Sequence, residues 1–266
     1  MVQVTSGGQT FSLNYNLKKN LDIVKDAVLH KDFDYICVVS GICGSGKSTF
    51  AQQICKYLDS TFNTKDRICF SGTGENGLIE RATNSISGKA FMLDESFQDL
   101  NTKISMSPDF VAIMSFLQLI RQRGLFIVLC LPNFFDLSKG IALFRANHLF
   151  VIRVGENYTR GNFEAFDRFE KQRLYVLGSK FMDYNCGNSN FDGSFSKKWV
   201  VDLKLYEKLK LEHLLSQKTR QGKRLQRDTY IRNTLIKYLH DEDNLLIKQI
   251  SEITGLATRT IHRILF

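Results

Sequence analysis

Eight residues near the start of the chain, Gly41-Ile42-Cys43-Gly44-Ser45-Gly46-Lys47-Ser48, have types and spacing suited to holding phosphate. Glycines at the first, fourth and sixth positions let the backbone curl so that its N–H groups wrap around anionic oxygens. Lys47 is placed to reach the terminal phosphates of a nucleotide, and Ser48 to offer a hydroxyl to Mg²⁺. Backbone groups from Gly41 through Ile42, Cys43, Gly44, Ser45, Gly46, Lys47 and Ser48 to Thr49 complete the expected cradle. A chance match to G-x-x-x-x-G-K-[ST] in a chain of this length has an expectation of roughly one in a hundred, before any structural context is required.

The second group is Lys89-Ala90-Phe91-Met92-Leu93-Asp94-Glu95, an apolar run ending in two carboxylates. At the C-terminal end of a strand, Asp94 would hold Mg²⁺ directly or through water, and Glu95 would orient or deprotonate a water attacking the γ-phosphate. A solvated acidic turn is the plainer reading of the same residues. With the upstream phosphate loop, the pair resembles a Walker B motif with its catalytic glutamate. A glutamate directly after the aspartate favours hydrolysis over transfer to a small alcohol.

The third group is Leu117–Gly124, a helix ending in Arg121 and Arg123, which turns into the apolar run Leu125–Leu131 followed by Pro132 and Asn133. From about Asp34 to Val154 the chain resembles RecA-like P-loop motors, particularly the FtsK/HerA group and the zonular-occludens-toxin-like ATPases of viruses and mobile elements. The phosphate loop and the acidic pair are the specific motifs; the remainder matches in pattern. The resemblance implies ATP rather than GTP, an oligomer with ATP between subunits, and Arg121 or Arg123 entering a neighbouring site to stabilise charge on the transferring phosphoryl group. Two solvated arginines near a helix C-terminus are the alternative. FtsK/HerA motors usually carry glutamine after this strand; here Asn133 would be the γ-phosphate sensor. Arg145 is a further trans-acting candidate.

These groups need a scaffold. Short β-rich runs at Tyr35–Ser40, Arg67–Phe70, Ala90–Leu93, Leu125–Leu131 and His148–Val154 alternate with helical patterns at Ser48–Leu58, Leu78–Ser85 and Asp109–Gln122. Such alternation predicts an α/β fold with a mostly parallel sheet covered by helices on both faces, read here as a RecA-like three-layer P-loop NTPase. The Arg67–Phe70 run lies between the two motif strands in the chain. Beyond it, Arg173–Gly178 and Lys198–Val201 read as strands flanking a loop over Asp183–Ser194.

The expected division is an ATPase domain over 1–201, a basic helical linker over 202–227 carrying Lys223, Arg224 and Arg227 around Gly222, and a small all-α module over 228–266. Asp228–His240, Leu245–Thr254 and Thr258–Phe266 read as three helices, the last two resembling a helix-turn-helix. Ile250, Ile253, Leu256, Ile261 and Ile264 would form its packing seam, with Gly255 at the turn. Thr258, Arg259, Thr260, His262 and Arg263 would then face DNA. Ala257 stands where that motif often has a capping Ser. A helical bundle for oligomerisation is the competing reading.

Charge agrees with a polyanionic partner: the formal charge is +9, and after Val201 there are thirteen Lys and Arg against eight Asp and Glu. The six cysteines include no C-x-x-C pair, and Cys37, Cys69 and Cys130 fall in apolar runs, so a zinc site or disulfide framework is not expected. No signal core or membrane-length apolar run is seen, predicting a soluble protein of the cytoplasm, or of a host cytoplasm if viral. The leading expectation is an oligomeric Mg²⁺-dependent ATPase acting on DNA by translocation, packaging or ATP-driven assembly. The alternatives are a slow ATP-gated DNA-binding switch in partition, transposition or transcription, and a small-molecule or nucleoside kinase.

Overall fold

The computed structural model describes residues 1–94, 107–241 and 245–266, the side chains of 217–228 excepted. Two compact units emerge, Met1–Glu207 and Lys208–Phe266.

The first unit opens with a hairpin, β1 (Val2–Ser6) and β2 (Gln9–Leu13), and helix α1 (Tyr15–His30). Asn14 caps α1 by accepting from the N–H groups of Asn16 and Leu17. Then come β3 (Tyr35–Ser40), α2 (Lys47–Leu58), α3 (Thr64–Arg67), β4 (Ile68–Cys69), α4 (Leu78–Thr83), β5 (Ala90–Leu93), α5 (Pro108–Leu119) and β6 (Phe126–Leu131). The unit continues through β7 (His148–Arg153), β8 (Asn162–Phe166), α6 (Arg168–Gly178) and β9 (Phe191–Ser194).

Seven strands form one sheet in the order β4-β5-β6-β3-β7-β8-β9. The first five run parallel, and β8 and β9 add antiparallel strands at one edge. In register, Tyr35 faces Phe126 and Ser40 faces Leu131. In the sheet it is therefore β6, and not the two-residue β4, that lies between the phosphate-loop strand and the Asp94 strand. The run at 67–70 supplies an outer strand instead.

Side-chain alternation makes three layers. Tyr35, Cys37 and Val39 of β3, with Phe126, Val128 and Cys130 of β6, pack towards α1, α2 and the hairpin, alongside Leu17, Leu21, Phe50 and Ile54. Ile36 and Val38, with Ile127, Leu129 and Leu131, pack on the other face against Leu78, Ile113, Leu117, Leu174 and Tyr175 from α4, α5 and α6. Burial on both faces explains why these strands read as continuous apolar runs. The fold is α/β, with a mostly parallel sheet between helical layers.

The region after β7 differs from expectation. Residues 173–178 belong to helix α6, because Asp167 caps the N–H groups of Phe169 and Glu170 and the buried set Lys171, Leu174, Tyr175 and Gly178 has helical spacing. A six-residue window over RLYVLG is too short to show a helical period, and its Tyr175-Val176 pair reads as strand while Asp167 and Lys171 lie beyond its edge. The strands are Asn162–Phe166 and, within the expected loop, Phe191–Ser194. Lys198–Val201 is not a strand: Gln53 Nε2 donates to the carbonyls of Ser196 and Lys198 at 2.8 Å each, and Val200 N donates to Gln52 Oε1 at 3.2 Å. Two buried glutamines of α2 thus satisfy a backbone that would otherwise need a strand partner.

Helix α7 runs unbroken from Leu203 to Asp241, so the expected linker and the helix over Asp228–His240 are one element. Gly222 lies within it at the modest cost a glycine carries in a helix, about 1 kcal/mol. In the second unit, α8 (Ile247–Thr254) and α9 (Thr258–Leu265) follow. Gly255 ends α8 in the left-handed region (φ 68°), its N–H bonded to Ser251 O. Ile236, Ile250 and Ile261 are buried together, with Leu239, Leu245, Ile247, Leu256 and Ile264 packed around them. Ile253 is 64% exposed and does not join this core; Ile236, from α7, supplies what the expected seam lacked.

Candidate phosphate-binding site and C-terminal helical face

The loop after β3 has three glycines at positive φ: Gly41 at 151°, Gly44 at 77° and Gly46 at 104°. A Cβ on Gly41 would lie 2.6 Å from the Ile152 carbonyl oxygen, and one on Gly46 would meet the Phe195 ring at 3.3 Å, so both positions are closed to larger residues. Ile42, Cys43 and Gly44 are exposed, Ser45 is buried, and Gly46 to Thr49 are half-buried. Gly46 caps α2 without a side-chain bond, and the first turn of α2 holds no acidic residue. The positive end of α2 therefore opens into the loop.

Lys47 Nζ donates to the carbonyls of Gly41 at 2.7 Å and Ile42 at 2.8 Å, which holds the ammonium across the loop. Ser48 Oγ donates to both carboxylate oxygens of Asp94, at 3.3 and 3.2 Å. Asp94 follows β5, 2% exposed, its N–H bonded to Cys69 O at 2.9 Å. Ser48 and Asp94 thus meet across 46 positions of sequence, with Lys47 next to Ser48 in the chain. A hydroxyl beside a carboxylate is a hard-oxygen donor set that fits Mg²⁺, and the uncapped helix end fits the phosphates it would accompany.

Glu95 lies outside the described residues. Asn133 lies just past β6, where its amide caps a short turn: Nδ2 donates to Asp136 Oδ2 at 3.1 Å, and Oδ1 accepts from Phe135 N and from the Tyr184 hydroxyl. Tyr184 OH also lies 2.9 Å from Ser40 Oγ and accepts from Phe134 N at 2.7 Å, tying the ends of β3 and β6 together. Burial pushes the Tyr184 phenol above its usual range.

Sequence reading missed Tyr184, and also Tyr206 and Arg160. The Tyr206 hydroxyl donates to Asp94 Oδ2 across 112 residues of sequence. Burial, then the Asp94 charge, drive this phenol far above the ordinary tyrosine range, so it stays protonated and donates. Arg160, on the loop before β8, places Nη2 3.8 Å from where a Cβ of Gly44 would be. No local motif marks any of the three, because each makes its contact through long-range folding.

Arg121 and Arg123 lie before β6, at the end of the parallel strands opposite Gly41–Ser48. Arg121 Nε donates to Asp32 O at 3.1 Å, with the Asp32 carboxylate 3.5 Å away. Arg123 is exposed. Neither reaches the phosphate loop of its own chain. Arg145 is bound internally at the same end, donating to the Asp34 carboxylate and the Leu117 carbonyl. That ion pair, 20% and 8% exposed, gives Arg145 a structural role in place of the trans-acting one expected.

In the second unit, Thr258, Arg259, Thr260, His262 and Arg263 line one concave surface with Ile247 and Phe266. Thr260 is half-buried and the other four are exposed, with Arg259 and Arg263 on the side of α9 away from Ile261. Ala257 precedes α9 with no side-chain cap. Lys223, Arg224 and Arg227 lie within α7, their side chains outside the description.

The fold is thus an α/β sheet between helical layers, with a glycine-rich loop and a buried aspartate at the C-terminal ends of its parallel strands. No family profile matches the chain, and no curated protein does. Among solved structures it is similar to the N-terminal domain of zonular occludens toxin from Neisseria meningitidis, at 12% identity and TM-score 0.38, over 66% of this chain and 98% of that one. It is also similar to the genome packaging NTPase B204 from Sulfolobus turreted icosahedral virus 2 in complex with AMPPCP, at 15% identity and TM-score 0.39, over 52% and 94% of the two chains. Likenesses this distant decide nothing about chemistry, which rests on the residues of this chain.

Proposed function

We propose that the chain is a Mg²⁺-dependent ATPase that acts on DNA as an oligomer, in the setting of a virus or mobile element. The observation that carries the nucleotide part is the Ser48 hydroxyl 3.2 Å from the Asp94 carboxylate, beside Lys47 and the open end of α2. Loop N–H groups would bind the phosphate oxygens, and Lys47 would leave the Gly41 and Ile42 carbonyls for the terminal phosphates. Ser48 and Asp94 would hold Mg²⁺, which when bound offsets negative charge on the phosphate oxygens. Glu95, adjacent in sequence, is assigned to the attacking water, and Arg160 would add a cation from the same chain. The position of Arg121 and Arg123, remote from their own loop, favours a role for them in a neighbouring subunit's site, with Asn133 at the γ-phosphate end of the cradle.

The DNA part rests on charge and on α9. An exposed face with Arg259, His262 and Arg263 beside Thr258 and Thr260, following a helix that carries Lys223, Arg224 and Arg227, suits phosphate and base-edge contacts. Among the described residues no helix is long and apolar enough to cross a membrane.

Steady-state ATP hydrolysis with and without duplex and single-stranded DNA, at two salt concentrations, tests this reading. Stimulation by DNA that weakens with salt, and that is lost in Lys47→Ala and Glu95→Gln, is the expected result. Tight DNA binding with negligible turnover throughout would replace the motor with an ATP-gated switch.

A further inference from the structure

We propose that Tyr206 is a positioning residue: its hydroxyl fixes the plane of the Asp94 carboxylate and so sets how strongly the nucleotide site holds its divalent cation. This rests on the nucleotide reading above and adds to it a residue that no motif contains.

Asp94 is buried, and two hydroxyls serve its carboxylate. The Ser48 hydroxyl approaches both at 3.3 and 3.2 Å from the phosphate-loop side, while the Tyr206 hydroxyl takes Oδ2. A carboxylate held at one oxygen cannot rotate freely, so its remaining lone pairs stay directed at the Ser48 side, where the cation would lie. Groups bound to metal ligands in this way commonly govern metal affinity by about 10–100-fold.

Tyr206 is itself firmly placed. It is 5% exposed, its ring 5.6 Å from Phe70 and 4.9 Å from Trp199 between centroids. Its N–H bonds to Asp202 O at 3.1 Å, Asp202 Oδ1 accepts from Leu205 N at 3.1 Å, and Thr64 Oγ1 donates to the Asp202 carbonyl at 3.0 Å. The first turn of α7 is thereby pinned to α3, and the phenol reaches Asp94 from a fixed base. A tyrosine needed only for packing would not require its hydroxyl to end on the buried Asp94 carboxylate beside Ser48.

Tyr206→Phe keeps the ring against Phe70 and Trp199 and removes only the donor. Mn²⁺ binding to the protein complexed with a non-hydrolysable ATP analogue, followed by electron paramagnetic resonance, is expected to weaken about tenfold. Nucleotide affinity in EDTA should stay within about twofold, a separation that loss of packing would not produce. In an Asp94→Asn background the same change should cost Mn²⁺ nothing further, because the two residues act as one unit. Unchanged or tighter Mn²⁺ binding in Tyr206→Phe, with the wild type binding the analogue and Lys47→Ala not, would overturn the role of Tyr206 and leave the nucleotide site standing. A wild type that binds no analogue would overturn both.

Discussion

The two ends of the central sheet use the same kinds of side chain for opposite purposes. At the C-terminal ends of β3 and β5, Lys47 rests on neutral carbonyls, the end of α2 is uncapped by any side chain, and Asp94 is served by hydroxyls. At the other end, Arg145 is locked to Asp34, Arg121 leans on Asp32, and His148 Nδ1 lies 3.1 Å from the Tyr35 hydroxyl. At the first end Lys47 and Asp94 are bound to neutral groups, whereas at the second Arg121 and Arg145 are paired with carboxylates of the chain. A cation's role therefore depends on what already satisfies it.

Breaking the first end should give the largest effect. Lys47→Ala is expected to lower ATP hydrolysis by about 10²–10³-fold, since a preorganised charge aimed at the transferring group is lost. Phosphate release measures it, and an unchanged melting temperature would separate chemistry from folding. At the second end, Arg145→Ala should act on stability instead, costing about 3 kcal/mol in urea unfolding because Asp34 is left largely buried without its partner. Loss of hydrolysis without loss of stability would return Arg145 to the catalytic machinery.

Arg160→Ala sharpens the contrast within the first end, with an expected loss of roughly tenfold in affinity for a non-hydrolysable ATP analogue and little effect on AMP. Equal losses for both nucleotides would place Arg160 away from the terminal phosphates. His148 probes the second end through pH. Burial chiefly lowers its pKa below the ordinary 6.5, so as pH falls through 6.5 the unfolded chain takes up a proton that the folded chain refuses. Stability should therefore decline below that pH, with no contribution well above it, and His148→Gln should flatten the acid side of a stability–pH curve. Arg121→Ala is expected to change stability by less than about 1 kcal/mol, its ion pair being exposed. If Arg121 serves a neighbour's site, the variant will bind ATP normally yet hydrolyse it slowly, and mixing it with Lys47→Ala will restore part of the activity.

How much of this was legible beforehand follows the range of the interactions. Gly41–Ser48 could be read directly because its chemistry is local: glycines for backbone reach, one lysine and one hydroxyl at fixed offsets. The parallel strands were legible because burial on both faces leaves an unbroken apolar run, as in Tyr35–Ser40 and Phe126–Leu131. Helix α6 was misread because its cap at Asp167 and its buried Lys171 lie outside the window that looked like a strand. Ile253 fitted the seam by spacing, yet Ile236, from α7, took the interior position.

The sequence alone determined the phosphate loop, the acidic strand end, the alternation that makes an α/β sheet and the basic character of the tail, since each depends on neighbours within a few residues. Only the tertiary structure decided that β6 lies between β3 and β5, that Gln52 and Gln53 replace a strand for residues 196–200, and that Arg145 answers Asp34. It also decided that Tyr206 meets Asp94. These are contacts between distant parts of the chain, and no local pattern of residue types encodes which of several buried donors will find a given carboxylate.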